Sequence, residues 1–460
     1  MALATRYQFG ILLPALFVAL SLLRIDASRA QEAVLPDYVI EQFGKPPTVP
    51  EGPLSEEVQS AVQVAFVESI VQSAWGTDQA LALNAIAESG DSRITWIIAD
   101  LMRFVSNRQL HAELADAASR LIGKELNSEK RWMALTNHLI AWDIPAPPNY
   151  LQVKRAIFTG FIPGWEKIFV EGDIDWRHVS WGGVLIDDRP YDNTDEICNC
   201  IPAADNPEVT GAEEATWLKD DDIVFGITVN SASRAYPRRI MEVREMVNDT
   251  LGGRDLGIPY CTLCGSAQAY FTDRLPEGIE RPILRTSGLL IRSNKIMYDL
   301  NTYSVFDTFL GRAVAGPFAE RKLRLERATV VTTDWGRWKR DHPDTTVLKE
   351  RYALGHDPDF RNTRDANGPI FPVGDVDPRL PVHEDIIGAV TASGKPVAFQ
   401  RSKALVALLS GEEVTFENIR LELDAGGVRA VDADGSDLGS HQAFWFAWSQ
   451  FHPETVLWPE

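Results

Sequence analysis

The chain places its four cysteines in two tight pairs, Cys198 and Cys200 in "EICNCIPA" and Cys261 and Cys264 in "IPYCTLCGSA". Four chemistries fit such spacing. In a metal knuckle, Gly265 behind the second thiol supplies the positive φ that lets backbone N–H groups point at sulfur. A Cys-x-Cys joined to a Cys-x-x-Cys-Gly gives four thiolates, a set that suits zinc, while Cu(I) takes two or three soft ligands. On this reading Cys261, Cys264, Cys198 and Cys200 hold zinc or copper. Met297, a soft thioether, and His178 are weaker additional ligands, and His383 and His441 are further nitrogens without diagnostic spacing.

A structural disulfide is the second chemistry, since exported thiols usually oxidise. Four cysteines allow three pairings. A bridge between the two motifs would close a loop of about 60 residues, for which chain entropy gives about 4 kcal/mol. Third, the same four residues could shuttle electrons as a thiol–disulfide pair, although the flanks "LGIPY" and "SAQAYF" read as strands rather than as a thioredoxin-like βαβ unit. A lone catalytic thiolate needs a base that the sequence does not place nearby. The function expected first is therefore metal holding. A redox protein and a disulfide-stapled interaction protein, whose helical domain binds a partner protein, are the alternatives, and whether the chain is an enzyme stays open.

The compartment follows from the first 30 residues. Arg6 gives a basic start, Phe9 to Leu23 an apolar run, and Ser28-Arg29-Ala30 a small-residue cleavage site. That run is broken by Pro14 and falls short of the roughly 20 residues of a spanning helix, so a signal peptide over 1–30, cleaved near Ala30, is expected. No later stretch is apolar for long enough to span a membrane, which predicts a soluble periplasmic or secreted protein without stable membrane insertion. The formal charge of −20 argues against nucleic acid and anionic lipid as partners. No Gly-rich phosphate loop, Gly-x-Ser-x-Gly elbow or His-Glu-x-x-His pair occurs.

What must position the thiols comes in two parts. From Ser55 to Trp142 apolar residues recur at helical spacing. Ile94, Ile97, Ile98, Leu101, Met102 and Val105 form one stripe, Leu110, Leu114, Ala117, Ala118 and Leu121 a second, and Trp132, Leu135, Leu139 and Trp142 a third. The breaks "ESGDSR" and "LNSEK" carry the residues that end one helix and cap the next. This predicts an all-α domain over 31–142, HEAT-like or a plain bundle, closed by a Pro-rich linker at 143–150. Over 151–460, "DIVFGITV", "RATVVTT" and "IRLELDAGGVRAVDADGSDLG" carry β-branched residues between turn dipeptides. The fold class expected is α+β multidomain, helical first and β-rich after.

The β-rich part contains an echo. Trp338 to Thr345, "WKRDHPDT", matches Trp448 to Thr455, "WSQFHPET", and each is preceded by a strand start running from an Ile to a Gly, Ile223 to Gly226 or Ile386 to Gly388. A duplication with halves 222–348 and 384–458 would explain both, the first half carrying an insertion that includes Cys261 and Cys264. Two imidazoles, His342 and His452, could converge on a metal. A short helix with an inward Trp and a His near its C-terminal end, stopped by Pro, explains the motif without one. Likewise "DADGSD" reads as an Asp-Gly hairpin turn rather than a calcium loop, and Asp299, Asn301, Thr302 and Ser304 read as turn residues rather than a ligand pocket.

Taken together, "DDIVFGITVNSASRAYPRRI", "VNDTLGG", "YCTLCGSA", "GLLIRSNKIMYDLNTYSVFDTFLGRAVAGP", "WKRDHPDT" and "FWFAWSQFHPET" resemble the bacterial domain-of-unknown-function family 3179 over residues 201–460. The resemblance implies that Cys261 and Cys264 occupy the family's Cys-x-x-Cys-Gly position; it implies no activity. Two departures stand out: Arg244-Glu245 where the family pattern has His-Glu, and "CNC" where it has an Asp-Gly turn before "IPA".

Overall fold

The computed structural model describes residues 35–126, 130–192, 198–349 and 368–459. The expected signal peptide, residues 1–30, and part of "LNSEK" lie outside them. Among the described residues no helix is long and apolar enough to cross a membrane.

The N-terminal part is helical. Ser55 caps Glu56–Val62 by accepting from the Val58 N–H, and Asn107 caps Arg108–Ile122 by accepting from Gln109 and Leu110. Thr77–Ser89 and Arg108–Ile122 end on Gly90 and Gly123 in the left-handed region, where a glycine has no Cβ to clash. The second stripe lies on Arg108–Ile122, with Leu114, Ala117, Ala118 and Leu121 buried. Thr95–Met102 departs from the striped pattern, because all eight of its residues are buried. It is the central helix, packed on Arg108–Ile122, Arg131–Ala141 and Tyr150–Phe161, and a helix covered on every side needs no polar face.

The Pro-rich stretch is not followed by a strand. Tyr150–Phe161 is a further helix, and Lys154 on it is fully buried. The Lys154 ammonium donates to Asp100 Oδ1 (2.6 Å), the Tyr150 hydroxyl (3.1 Å) and the Val179 carbonyl (2.7 Å). One cation thus ties the central helix Thr95–Met102, the helix after the prolines and the first strand, Val179–Trp181. The apolar core is likewise shared: Trp96, Ile98, Leu139 and Phe158 belong to the same cluster as Leu289, Ile296, Val305 and Val314 of the first sheet. Prolines end a helix at a fixed place, but burial on either side decides whether two cores or one result.

Among the described residues, five small sheets follow in a propeller-like ring. Two of them repeat one plan. In the first, Ile223–Val229 pairs antiparallel with Val331–Asp334 and Ala232–Pro237, and Ala232–Pro237 pairs parallel with Thr346–Leu348. In the second, Asp385–Val390 pairs antiparallel with His441–Phe444 and Pro396–Gln400, and Pro396–Gln400 pairs parallel with Val456–Trp458. The "WxxxHP" echo is the helix of each plan, Trp335–Asp341 or Trp445–Phe451. Trp338 lies so close to Gly226 that a Cβ there would sit 2.1 Å from the indole; the Gly388 and Trp448 equivalent is 2.2 Å. Each indole N–H then donates to a threonine hydroxyl, Thr345 at 2.9 Å and Thr455 at 2.8 Å. Gly, Trp and Thr thus form one packing device used twice. The two histidines differ. His342 reaches Asp424 (3.0 Å) and Ser233 (3.2 Å), whereas His452 Nε2 is buried without a hydrogen bond.

The expected turn between "VRAV" and "DLG" is present: Val431 bridges antiparallel to Asp437 across "DADGSD". A further turn precedes it, at Ala425-Gly426, both at positive φ, joining Ile419–Asp424 to Gly427–Val431. Within "DADGSD" the Asp432 Oδ1 accepts from the Asp434 and Ser436 N–H groups. A carboxylate that satisfies its own loop's backbone explains the acidic residues without a cation. The Asp299 carboxylate does the same for Ile283 and Thr302.

Candidate functional site

Cys261 ends the strand Arg254–Cys261, and Ser266–Ala267 folds back on it in register Tyr260 to Ala267 and Cys261 to Ser266. Between them the chain makes a tight turn, closed by the Cys264 N–H donating to the Cys261 carbonyl (3.2 Å). Gly265 has φ +59°, and a Cβ there would meet the Phe444 ring at 2.9 Å. Both conformation and space therefore demand glycine, as the knuckle reading required. The sulfurs of Cys261 and Cys264 are bonded to each other. The turn docks on the second repeated unit, where the Phe444 N–H donates to the Cys264 carbonyl at 2.8 Å.

The two cysteines differ in access. Cys264 is fully buried, whereas Cys261 lines a cavity of about 170 Å³ with Ile201, Glu245, Thr262, Thr286, Lys295 and Phe371. The polar wall of this cavity is a buried ion pair. Lys295 Nζ lies 2.5 Å from Glu245 Oε2 and 2.8 Å from the Glu245 carbonyl, and the Thr262 hydroxyl donates to Glu245 Oε1 at 3.1 Å. Side-chain exposures of 6% and 10% put the pair in a low-dielectric setting where charges act strongly. Burial lowers the pKa of Lys295, and the Glu245 charge works against that shift. Glu245 follows the helix Arg238–Arg244 with φ +47°, a left-handed conformation that costs a non-glycine residue about 1 kcal/mol. It turns the chain so that the Glu245 carbonyl accepts from both Lys295 and the Tyr260 N–H. Cys261, Glu245 and Lys295 thus line one small cavity, a set of residue types able to move a proton and favour a thiolate.

The second pair is bonded within itself as well. Cys198 and Cys200 are half-buried around an exposed Asn199. Cys200 bridges to Leu185, and the Asp187 carboxylate lies within 4.8 Å of both sulfurs. That carboxylate accepts from Arg189 Nε (2.7 Å) and from the Ala203 N–H (2.8 Å). Neither disulfide joins the two motifs, which corrects the long staple considered from the sequence. Each pair has Cα atoms just over 5 Å apart, 5.1 and 5.2 Å, already within bonding reach of its own partner. Chain entropy gives such short rings only about 2 kcal/mol each, against about 4 for the long loop.

The remaining candidates are dispersed. Met297 is fully buried in an apolar cluster with Tyr270, Phe306 and Phe318. His178 packs against Trp96, with Asp175 at 3.8 Å. His383 sits edge-on to Phe444 and Phe446, and His441 meets Gln268 at 3.4 Å. Among the described residues, the one group with metal-ligand spacing is Asp187, Cys198 and Cys200.

A family model described as "Protein of unknown function (DUF3179)" matches residues 198–440, more than half of the chain. The chain belongs to the DUF3179 family. No curated protein and no solved structure matches it. The match begins at Cys198 and takes in both cysteine pairs, Glu245 and Lys295. Sequence reasoning had touched Glu245 only as half of an Arg-Glu departure and passed over Lys295 altogether. A lysine inside the apolar strand Asn294–Asp299 was the one available signal.

Proposed function

We propose that this DUF3179 chain is a thiol–disulfide oxidoreductase of an oxidising, extracytoplasmic compartment, working through Cys261 and Cys264. The observation that carries this is the shared cavity: Cys261 of the disulfide lines it together with the Glu245–Lys295 ion pair. A Cys-x-x-Cys on a hairpin has no helix N-terminus to lower its thiolate pKa, so a buried cation has to do so instead. Lys295 supplies that charge, and Glu245 the carboxylate that exchanges a proton with the thiol. An incoming thiolate attacks Cys261 Sγ, the Cys261–Cys264 bond breaks, and Cys264 leaves as a thiolate and is protonated. The donor's second thiolate then attacks the mixed disulfide and releases Cys261, leaving a disulfide on the donor.

The test equilibrates the mature chain in dithiol buffers of stepped potential, alkylates free thiols and locates them by peptide mass spectrometry. A midpoint for Cys261–Cys264 between about −120 and −270 mV, the span of redox catalysts, is expected. A midpoint below about −300 mV marks a structural staple and ends the proposal.

Metal carriage is favoured by a separate observation, the closeness of Asp187, Cys198 and Cys200. Once that pair is reduced, two thiolates and a carboxylate oxygen suit zinc, and the thiolates alone suit Cu(I). The reduced chain should then retain zinc or copper by elemental analysis and lose it on Cys198→Ser with Cys200→Ser. Equal metal content in both proteins excludes this site.

A further inference from the structure

We infer that Cys198–Cys200 is the surface terminal of the buried disulfide: protein dithiols and disulfides react at Cys198–Cys200, and electrons pass between that pair and Cys261–Cys264. This deepens the oxidoreductase reading and rests on it.

Access makes a terminal necessary. Cys264 is fully buried, and Cys261 is 2% exposed beside a cavity of about 170 Å³, well below the roughly 300 Å³ at which ligand pockets begin. A small thiol fits there, whereas the cysteine loop of another protein does not. Cys198 and Cys200, half-buried around an exposed Asn199, can be reached.

Position makes the connection. Cys200 immediately precedes Ile201, which lines the cavity together with Cys261. The Ile201 carbonyl is held by the Thr286 hydroxyl at 2.7 Å, and Thr286 lines the same cavity. Leu185, the bridge partner of Cys200, directly follows another lining residue, Val184. Cys200 is thus one residue from the lining of the cavity that Cys261 shares.

The exchange balances without a further reagent. An external protein dithiol reduces Cys198–Cys200 and leaves as a disulfide. The Cys200 thiolate attacks Cys261 Sγ, the Cys261–Cys264 bond breaks, and Cys264 departs as a thiolate. Cys198 thiolate then attacks Cys200 Sγ and expels Cys261 as a thiolate, restoring Cys198–Cys200. Two electrons move inward, and both departing thiolates take up protons.

Two measurements on the full mature chain test the inference. In the Cys198→Ser, Cys264→Ser variant, mild oxidation should link Cys200 to Cys261 within one chain, seen as a crosslinked peptide from monomeric protein. Oxidation giving only dimers or free thiols overturns the relay. In the Cys198→Ser, Cys200→Ser variant, reduction of Cys261–Cys264 by reduced thioredoxin should slow by about tenfold or more, while reduction by a small trialkylphosphine changes less than about twofold. Unchanged thioredoxin kinetics overturn the relay and leave the oxidoreductase reading standing. That reading fails separately, through the wild-type midpoint potential.

Discussion

Lys295 and Glu245, 50 residues apart in the chain, meet twice: the ammonium contacts the Glu245 carboxylate at 2.5 Å and its backbone carbonyl at 2.8 Å. The double contact matters because a single ion pair buried this deeply barely offsets its own desolvation. A backbone acceptor satisfies a second ammonium proton and fixes the cation beside the thiol turn.

Replacing Glu245 by Gln retains the side-chain shape and removes the counter-charge, which leaves Lys295 buried and unpaired. Breaking one side of such a pair costs about 3 kcal/mol. The urea midpoint should fall accordingly, and Glu245→Gln combined with Lys295→Met should recover a large part of it. A purely structural pair would do no more. In the proposed mechanism the reduced Glu245→Gln chain also shows a shifted pH profile for alkylation of Cys261.

Gly265 is required twice, by φ +59° and by the Phe444 ring 2.9 Å from a would-be Cβ. Gly265→Ala should lower stability by about 2 kcal/mol, the left-handed cost plus mild overpacking. Chemical denaturation of the oxidised chain measures it. A cost below about 0.5 kcal/mol would mean that the turn and the ring can part without penalty.

The Gly–Trp–Thr device predicts symmetry. Gly226→Ala and Gly388→Ala each drive a methyl into an indole, with unrelaxed separations of 2.1 and 2.2 Å. Overpacking of this kind costs about 1–3 kcal/mol or more. Similar losses in guanidinium melts are expected for the two variants, because each methyl meets the same indole held by the same threonine contact.

Acid should destabilise the protein. Burial pushes His178 down to about 4 and His452 down to about 3. Folded, each imidazole stays neutral where the unfolded chain would bind a proton, so stability is lost as pH falls below about 6.5. Each contributes a loss of about 2 kcal/mol between pH 7 and pH 5. Asp307 has the opposite sign: burial raises its pKa to about 6, so over the same interval it contributes a gain of about 1 kcal/mol. His452→Gln should therefore reduce the difference between the unfolding free energies at pH 7 and pH 5 by about 2 kcal/mol. An unchanged difference would show that His452 is not held neutral.

Local chemistry was legible in the sequence. The helix stop in "ESGDSR", where Gly90 ends Thr77–Ser89, the glycine behind Cys264, the Trp-x-x-x-His-Pro echo and the helical-then-β order all rest on preferences set within a few residues. The family membership, too, follows from motifs in order along the chain. Tertiary structure decided the rest. Whether the prolines at 143–150 separate two cores turned on Lys154 reaching Asp100 and Val179. Which cysteine is accessible turned on the cavity beside Cys261, and what accompanies it turned on a helix end and a strand bringing Glu245 to Lys295. Charges far apart in sequence interact only where the fold both removes water and sets their separation, and neither quantity is written in the residues one at a time.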